Sequence, residues 1–188
     1  MEIKNLKPKL IGLAVLVIGL ALLAKFSPTA AEGVSLEQDG ENFNLVLDPK
    51  GEKVFVVSGW KIKTSEDQYI LPEAANLPLQ GKINGVAPVV ISVPTRIRIS
   101  WKHSPIGVSF RENKCTGLLA YFQKFDPPLS PPCPDCRGES EFPEYNLCVE
   151  AHRGNPDFFY NSWRLYLFSD EALWNSDMRI RLDTGDLE

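Results

Sequence analysis

VFVVSGWKIKTSEDQYIL, Val54–Leu71, packs an apolar strand, a Gly-Trp step, a second strand, a polar turn and a third strand into eighteen residues. Val54–Val57 is the first strand, Ser58-Gly59 breaks it before Trp60, Ile62 alternates with Lys61 and Lys63, and Tyr69–Leu71 closes the unit. Alternation at a period of two places one face in a core and the other in water. The pattern extends in both directions. Phe43, Leu45 and Leu47 alternate with Asn44 and Val46 before the turn Asp48–Gly51, DPKG. Val89–Val93 and Thr95–Trp101 follow, with Pro72, Asn84-Gly85 and Pro94 as punctuation. Short strands at close intervals with Gly and Pro between them predict a mainly β domain, a sandwich or barrel rather than an α/β fold.

The rhythm changes after Arg111. Leu118, Phe122 and Phe125 fall at helical spacing, which predicts an amphipathic helix over Cys115–Phe125. Five of the eight residues Pro127–Pro134 are proline, which forbids helix and central strand there. A second helix is expected to start at Pro143 and run toward His152. Trp163–Phe168 and Met178–Leu182 return to strands, and Asp183–Asp186 is a terminal turn. Residues 32–188 are therefore expected to form one domain, a β-rich body with a small helical, cysteine-bearing insertion at about 111–160.

Ahead of that domain, Lys4, Lys7 and Lys9 run into Leu10–Ala24, fifteen residues without a polar side chain. As a helix this run is roughly 22 Å long, against a hydrocarbon core near 30 Å. Phe26 extends it, with Lys25 able to snorkel to the interface. Residues 1–31 are thus expected to be a signal peptide or an N-terminal hydrophobic helix retained as a membrane anchor. Cleavage after Ala31, with Thr29 as the other small residue, is the secreted alternative; Lys25 favours retention. Residues 1–25 carry a charge of +3 and the remainder −7. An acidic ectodomain argues against nucleic-acid binding. Arg96 and Arg98 alternate with Ile97 and Ile99, and read as a solvated strand face.

Export changes how cysteines are read. Cys115, Cys133, Cys136 and Cys148 are an even set, expected to form two disulfides. Cys115–Cys133 with Cys136–Cys148 would staple each helix to the proline-rich loop. Zinc is the alternative, through Cys133-Pro134-Asp135-Cys136 with Cys148 and His152, though it leaves Cys115 unused and needs reduced thiols. A dithiol oxidoreductase would place its C-P-x-C at a helix start after a strand, not among prolines. His103 and His152 lack a neighbouring carboxylate pattern, Ser104 and Ser109 lack a nucleophile elbow, and Glu139 with Glu141 reads as solvated loop. Phe158, Phe159, Tyr160, Trp163, Tyr166 and Phe168 are mostly core, with Trp163, Leu165 and Leu167 on one strand face and Tyr166 and Phe168 on the other. Phe159, Tyr160 and Trp163 are the residues that could present a ligand surface.

Taken with SPIGVSFRENKCTG at Ser104–Gly117, CVEAHRGNPDFFYNSWRLYL at Cys148–Leu167 and RIRLDTG at Arg179–Gly185, the Val54–Leu71 unit resembles the lamin-tail domain of small exported bacterial proteins with a cysteine-containing insertion. That resemblance implies an immunoglobulin-like β-sandwich and a non-catalytic interaction module, with no cofactor and no metal. The location expected from the basic flank and Leu10–Ala24 is the cell membrane, single-pass with the ectodomain outside, or the secreted space. The implied partners are the membrane and a protein or cell-envelope polymer. The reading from another class is an exported enzyme or zinc-binding protein using the Cys133–His152 region.

Overall fold

Glycine decides where the first strands turn. β1 (Val34–Asp39) and β2 (Asn42–Leu47) pair antiparallel, with Asp39 opposite Asn42, so only Gly40 and Glu41 connect them. Gly40 has φ +60°, the positive value that a two-residue hairpin of this hand needs at its first central position. At the other end Gly33 has φ +85°, and a Cβ there would lie 2.3 Å from the Asp48 carbonyl oxygen. The Gly33 carbonyl accepts the Asp48 N–H at 2.7 Å, which closes the hairpin mouth.

The computed structural model describes residues 32–51, 53–64, 67–132, 134, 144–167 and 181–184. The expected N-terminal hydrophobic helix, Cys133, Cys136, Glu139, Glu141, Pro143, Phe168 and Met178–Ile180 lie outside them. Among the described residues no helix is long and apolar enough to cross a membrane.

The protein is mainly β. β7 (Thr95–Ser100), β8 (Phe110–Asn113) and β9 (Phe159–Tyr166) complete a five-stranded sheet in the order β1-β2-β7-β9-β8. Phe43, Leu45, Leu47, Ile97 and Ile99 are all at most 2% exposed, as their alternation predicts. β4 (Lys61–Lys63) lies between β5 (Gln68–Ile70) and β10 (Arg181–Asp183) in a three-stranded sheet. β3 (Phe55–Val56) and β6 (Val90–Ile91) form a two-stranded ribbon. The Gly-Trp step is a tight turn: Trp60 N–H donates to the Val57 carbonyl at 3.1 Å, and Gly59 supplies φ +93° at the third position. Ser58 ties this turn down, donating to the Pro72 carbonyl and accepting from Val89 N–H, both at 2.9 Å. Trp101, just past β7, sits edge-on to Phe43 of β2 and to Tyr69 of β5, with centroids 5.7 and 4.6 Å away, so the two larger sheets meet there.

Several elements differ from the sequence expectation. The helix expected over Cys115–Phe125 is a 3-10 helix, Thr116–Tyr121. Gly117 has no room for a side chain, because the chain passes so close to the proline-rich loop that a Cβ would lie 2.3 Å from Ser130 O and 2.4 Å from Pro132 N. Leu118, Leu119 and Phe125 are buried, but Phe122 is 54% exposed, so the expected apolar face does not form as one stripe. The second helix, α1 (Tyr145–His152), is present. β9 begins four residues earlier than expected and is buried on both faces from Trp163 to Leu167. The cause is its position between β7, to which it runs parallel, and β8. β1 and β8 have no counterpart in the sequence reading.

Candidate functional site

Asn113, at the end of β8, organises the start of the insertion. Its side-chain oxygen accepts the Cys115 N–H at 2.9 Å, its carbonyl accepts the Thr116 hydroxyl at 2.7 Å, and its amide donates to the Tyr145 hydroxyl at 3.1 Å. Asn113 and Tyr145 are fully buried, which puts a polar hinge inside the apolar cluster of Phe110, Leu118, Phe125, Val149 and Phe158. Burial pushes the Tyr145 hydroxyl up to about 12, against a smaller lowering by Asn113.

A disulfide joins Cys115, at the mouth of the 3-10 helix, to Cys148 in α1, with Cα atoms 5.9 Å apart. The pairing expected from the sequence, Cys115–Cys133 with Cys136–Cys148, is therefore corrected. The two helices are stapled to one another, because the Asn113 turn and α1 bring their buried faces together. The bridge also takes the Cys148 thiolate out of the Cys133, Cys136, Cys148 and His152 donor set.

The stapled helices form one side of a cleft of about 280 Å³. Leu119, Phe122 and Gln123 line it from the 3-10 helix and its exit, and Tyr145 from α1. Pro105 and Ile106 line it from the β7–β8 loop. The opposing wall is the loop Pro78–Asn84, which two side-chain amides hold in shape. Asn84 accepts the Leu79 N–H at 2.7 Å and donates to the Leu79 carbonyl at 3.3 Å. Asn146 of α1 accepts the Gln80 N–H and donates to its carbonyl, both at 3.1 Å. The cleft is thus preformed, apolar toward Leu119 and Ile106 and polar at Gln80, Lys82 and Gln123. Of these residues the sequence singled out Leu118's neighbour Phe122 and the Asn84-Gly85 turn, but not as a site.

A buried ion pair underlies the insertion. Arg164 and Glu112, 1% and 2% exposed, meet Nε to Oε1 at 2.6 Å. Ser162 donates to the other Glu112 oxygen at 2.6 Å. Arg164 Nη1 donates to the Pro127 carbonyl and Nη2 to the Pro128 carbonyl, the latter at 2.6 Å. Arg98 stands 3.9 Å from Glu112 and is half-buried, while Arg96 is exposed. The planar guanidinium fork suits one carboxylate and two carbonyls at once, which a lysine could not match.

The surface suggested by Phe159, Tyr160 and Trp163 is arranged differently from an open platform. Trp163 is 7% exposed, and Phe159 and Tyr160 are half-buried. The Arg111 guanidinium lies over Phe159 and near Trp163, 4.6 and 5.8 Å from the ring centroids, and donates to the Tyr160 carbonyl at 3.4 Å. Desolvation lowers the pKa of Arg111. His103 is exposed and His152 half-buried; Ser104 and Ser109 are buried, donating to Val108 O at 2.6 Å and accepting from Tyr166 N–H at 3.0 Å respectively. Comparison with protein-family models, curated proteins and solved structures finds no match to the chain.

Proposed function

We propose that the protein is a non-enzymatic binding module of the bacterial cell envelope, tethered by its N-terminal apolar segment with the domain outside the membrane, and that the cleft beside the 3-10 helix is its ligand site. The observation that carries this reading is the Cys115–Cys148 disulfide, which joins the two helices that line one side of the cleft. Disulfides form and persist in oxidising compartments, and this one fixes two short helices that would be marginal alone. Basic residues before Leu10–Ala24 and an acidic remainder agree with export. The proposed architecture is a lamin-tail-like, immunoglobulin-like sandwich, with β1-β2-β7-β9-β8 as one layer and β10-β4-β5 as the other. The contact of Tyr69 and Phe43 through Trp101, and the Gly-Trp turn, support it.

The test is capture from envelope extract by the full-length protein, compared with Gln123→Trp, which fills the cleft from an exposed position. Retention of a protein or envelope polymer by the native chain and its loss in an equally stable variant is the expected result. Equal retention by both would remove the cleft from the reading.

A further inference from the structure

We infer that the cleft takes a ligand in which an apolar side chain lies next to a single carboxylate. This rests on the cleft being the binding site proposed above. About 280 Å³ is at the small end of ligand sites, room for one residue-sized group rather than an extended chain. Its inner wall is apolar, from Leu119, Ile106 and the ring of the fully buried Tyr145, with the exposed ring of Phe122 at the rim. An inserted side chain would lie against hydrocarbon on that wall and against polar groups of Gln80, Asn84 and Gln123 elsewhere.

Charge selects what the side chain is attached to. Among the described lining residues Lys82 alone is charged, and no carboxylate lines the cleft. The backbone around it is fixed, since Asn84 also donates to the Lys82 carbonyl at 3.5 Å and Asn146 holds Gln80. A cationic ligand would find no carboxylate to pair with and one ammonium to repel it. A phosphate would call for the Arg or Lys cluster or helix N-terminus that such groups favour, and the lining has one lysine. A single carboxylate against one ammonium, with the Gln80 and Gln123 amides beside it, matches in charge and number. Lys82 is exposed, so its contribution is modest and salt-sensitive.

The chemistry is shared by the last residue of a peptide and by a free acylated amino acid. Calorimetry on the full-length protein in nanodiscs should use N-acetyl-leucine, N-acetyl-leucinamide and a pentapeptide ending in leucine. The acid is expected to bind roughly fivefold tighter than the amide at low salt, a preference that high salt removes. Lys82→Gln should abolish the preference and leave the amide unchanged. Tighter binding of the pentapeptide than of N-acetyl-leucine identifies a chain terminus as the source; equal affinities identify a free acid. Equal binding of acid and amide, or a preference that survives Lys82→Gln, would overturn the inference. If no probe binds while Gln123→Trp still abolishes envelope capture, the ligand class is wrong and the site stands. If Gln123→Trp leaves capture intact, the site itself is wrong.

Discussion

Glu112 and Arg164 keep opposite charges almost wholly out of water, a costly arrangement unless nearly every polar atom finds a partner. Here Nε, Nη1 and Nη2 of Arg164 and both oxygens of Glu112 are engaged. Removing one partner leaves the other buried and uncompensated. Glu112→Gln is therefore expected to lower stability by about 3 kcal/mol or more, read as a fall in the urea midpoint without a change in slope. An unchanged midpoint would mean that water reaches the pair. A second residue-scale prediction concerns alkaline pH. Burial pushes Tyr145 and Tyr166 up to about 12, Tyr166 with a smaller opposing effect from Arg164. Unfolded tyrosines ionise near 10, so between about pH 10 and 12 the unfolded state loses protons that the native state keeps. Stability from this source is complete below 10 and lost as pH rises through 12, on the order of 2 kcal/mol per tyrosine. Absorbance titration near 295 nm should show two of the five tyrosines silent until unfolding; five ordinary titrations would contradict their burial. The sequence reading singled out neither Arg164 nor its partner. Glu112 lies 52 positions from Arg164 and no local period links them.

At the scale of elements, the insertion depends on contacts its own sequence cannot supply. The 3-10 helix spans six residues and α1 eight, both too short to persist in water unsupported. Periodicity located the first helix and Pro143 the second, but not the first one's winding or Phe122's exposure, which depend on long-range packing such as the approach of Gly117 to the backbone of Ser130 and Pro132. An even cysteine count gave the chemistry but three possible pairings, and the choice was made by the Asn113 turn, 32 positions from Tyr145. Closing the 33-residue separation between Cys115 and Cys148 contributes on the order of 4 kcal/mol by the chain-entropy relation. Non-reducing peptide mapping of protein isolated from the envelope should recover Cys115 joined to Cys148. Reduction should speed hydrogen exchange in residues 112–125 and 145–152 while β7 stays protected; uniform exchange before and after would deny the bridge this role. Gly117→Ala should also loosen the insertion, by about 2 kcal/mol, because the new methyl meets backbone rather than a flexible side chain.

At the scale of the whole molecule, alternation was enough to identify a β-rich body and its buried faces, because Leu45, Ile62, Ile97 and Ile99 announce themselves locally. Strand order was not legible: β7 and β9 run parallel, with β8 and the whole insertion between them in sequence. The cleft was equally hidden, being assembled from four stretches between Pro78 and Tyr145 that share no motif. Orientation across a membrane is different, since it is set by charge near the apolar segment and not by packing. Before Leu10, Lys4, Lys7 and Lys9 outweigh Glu2 for a balance of +2, whereas after the apolar run only Lys25 stands ahead of a remainder that carries −7. Basic flanks stay cytoplasmic, so the amino terminus should remain inside and the domain from residue 32 should lie outside. The disulfide agrees with the proposed side, because disulfides form and persist chiefly in oxidising compartments. Protease added to intact spheroplasts should therefore remove the domain without lysis, and substituting the three lysines before Leu10 by glutamate should reduce the exposed fraction. Full protection of the native domain in intact spheroplasts whose other surface proteins the protease digests would sink this topology, and with it the proposed envelope function.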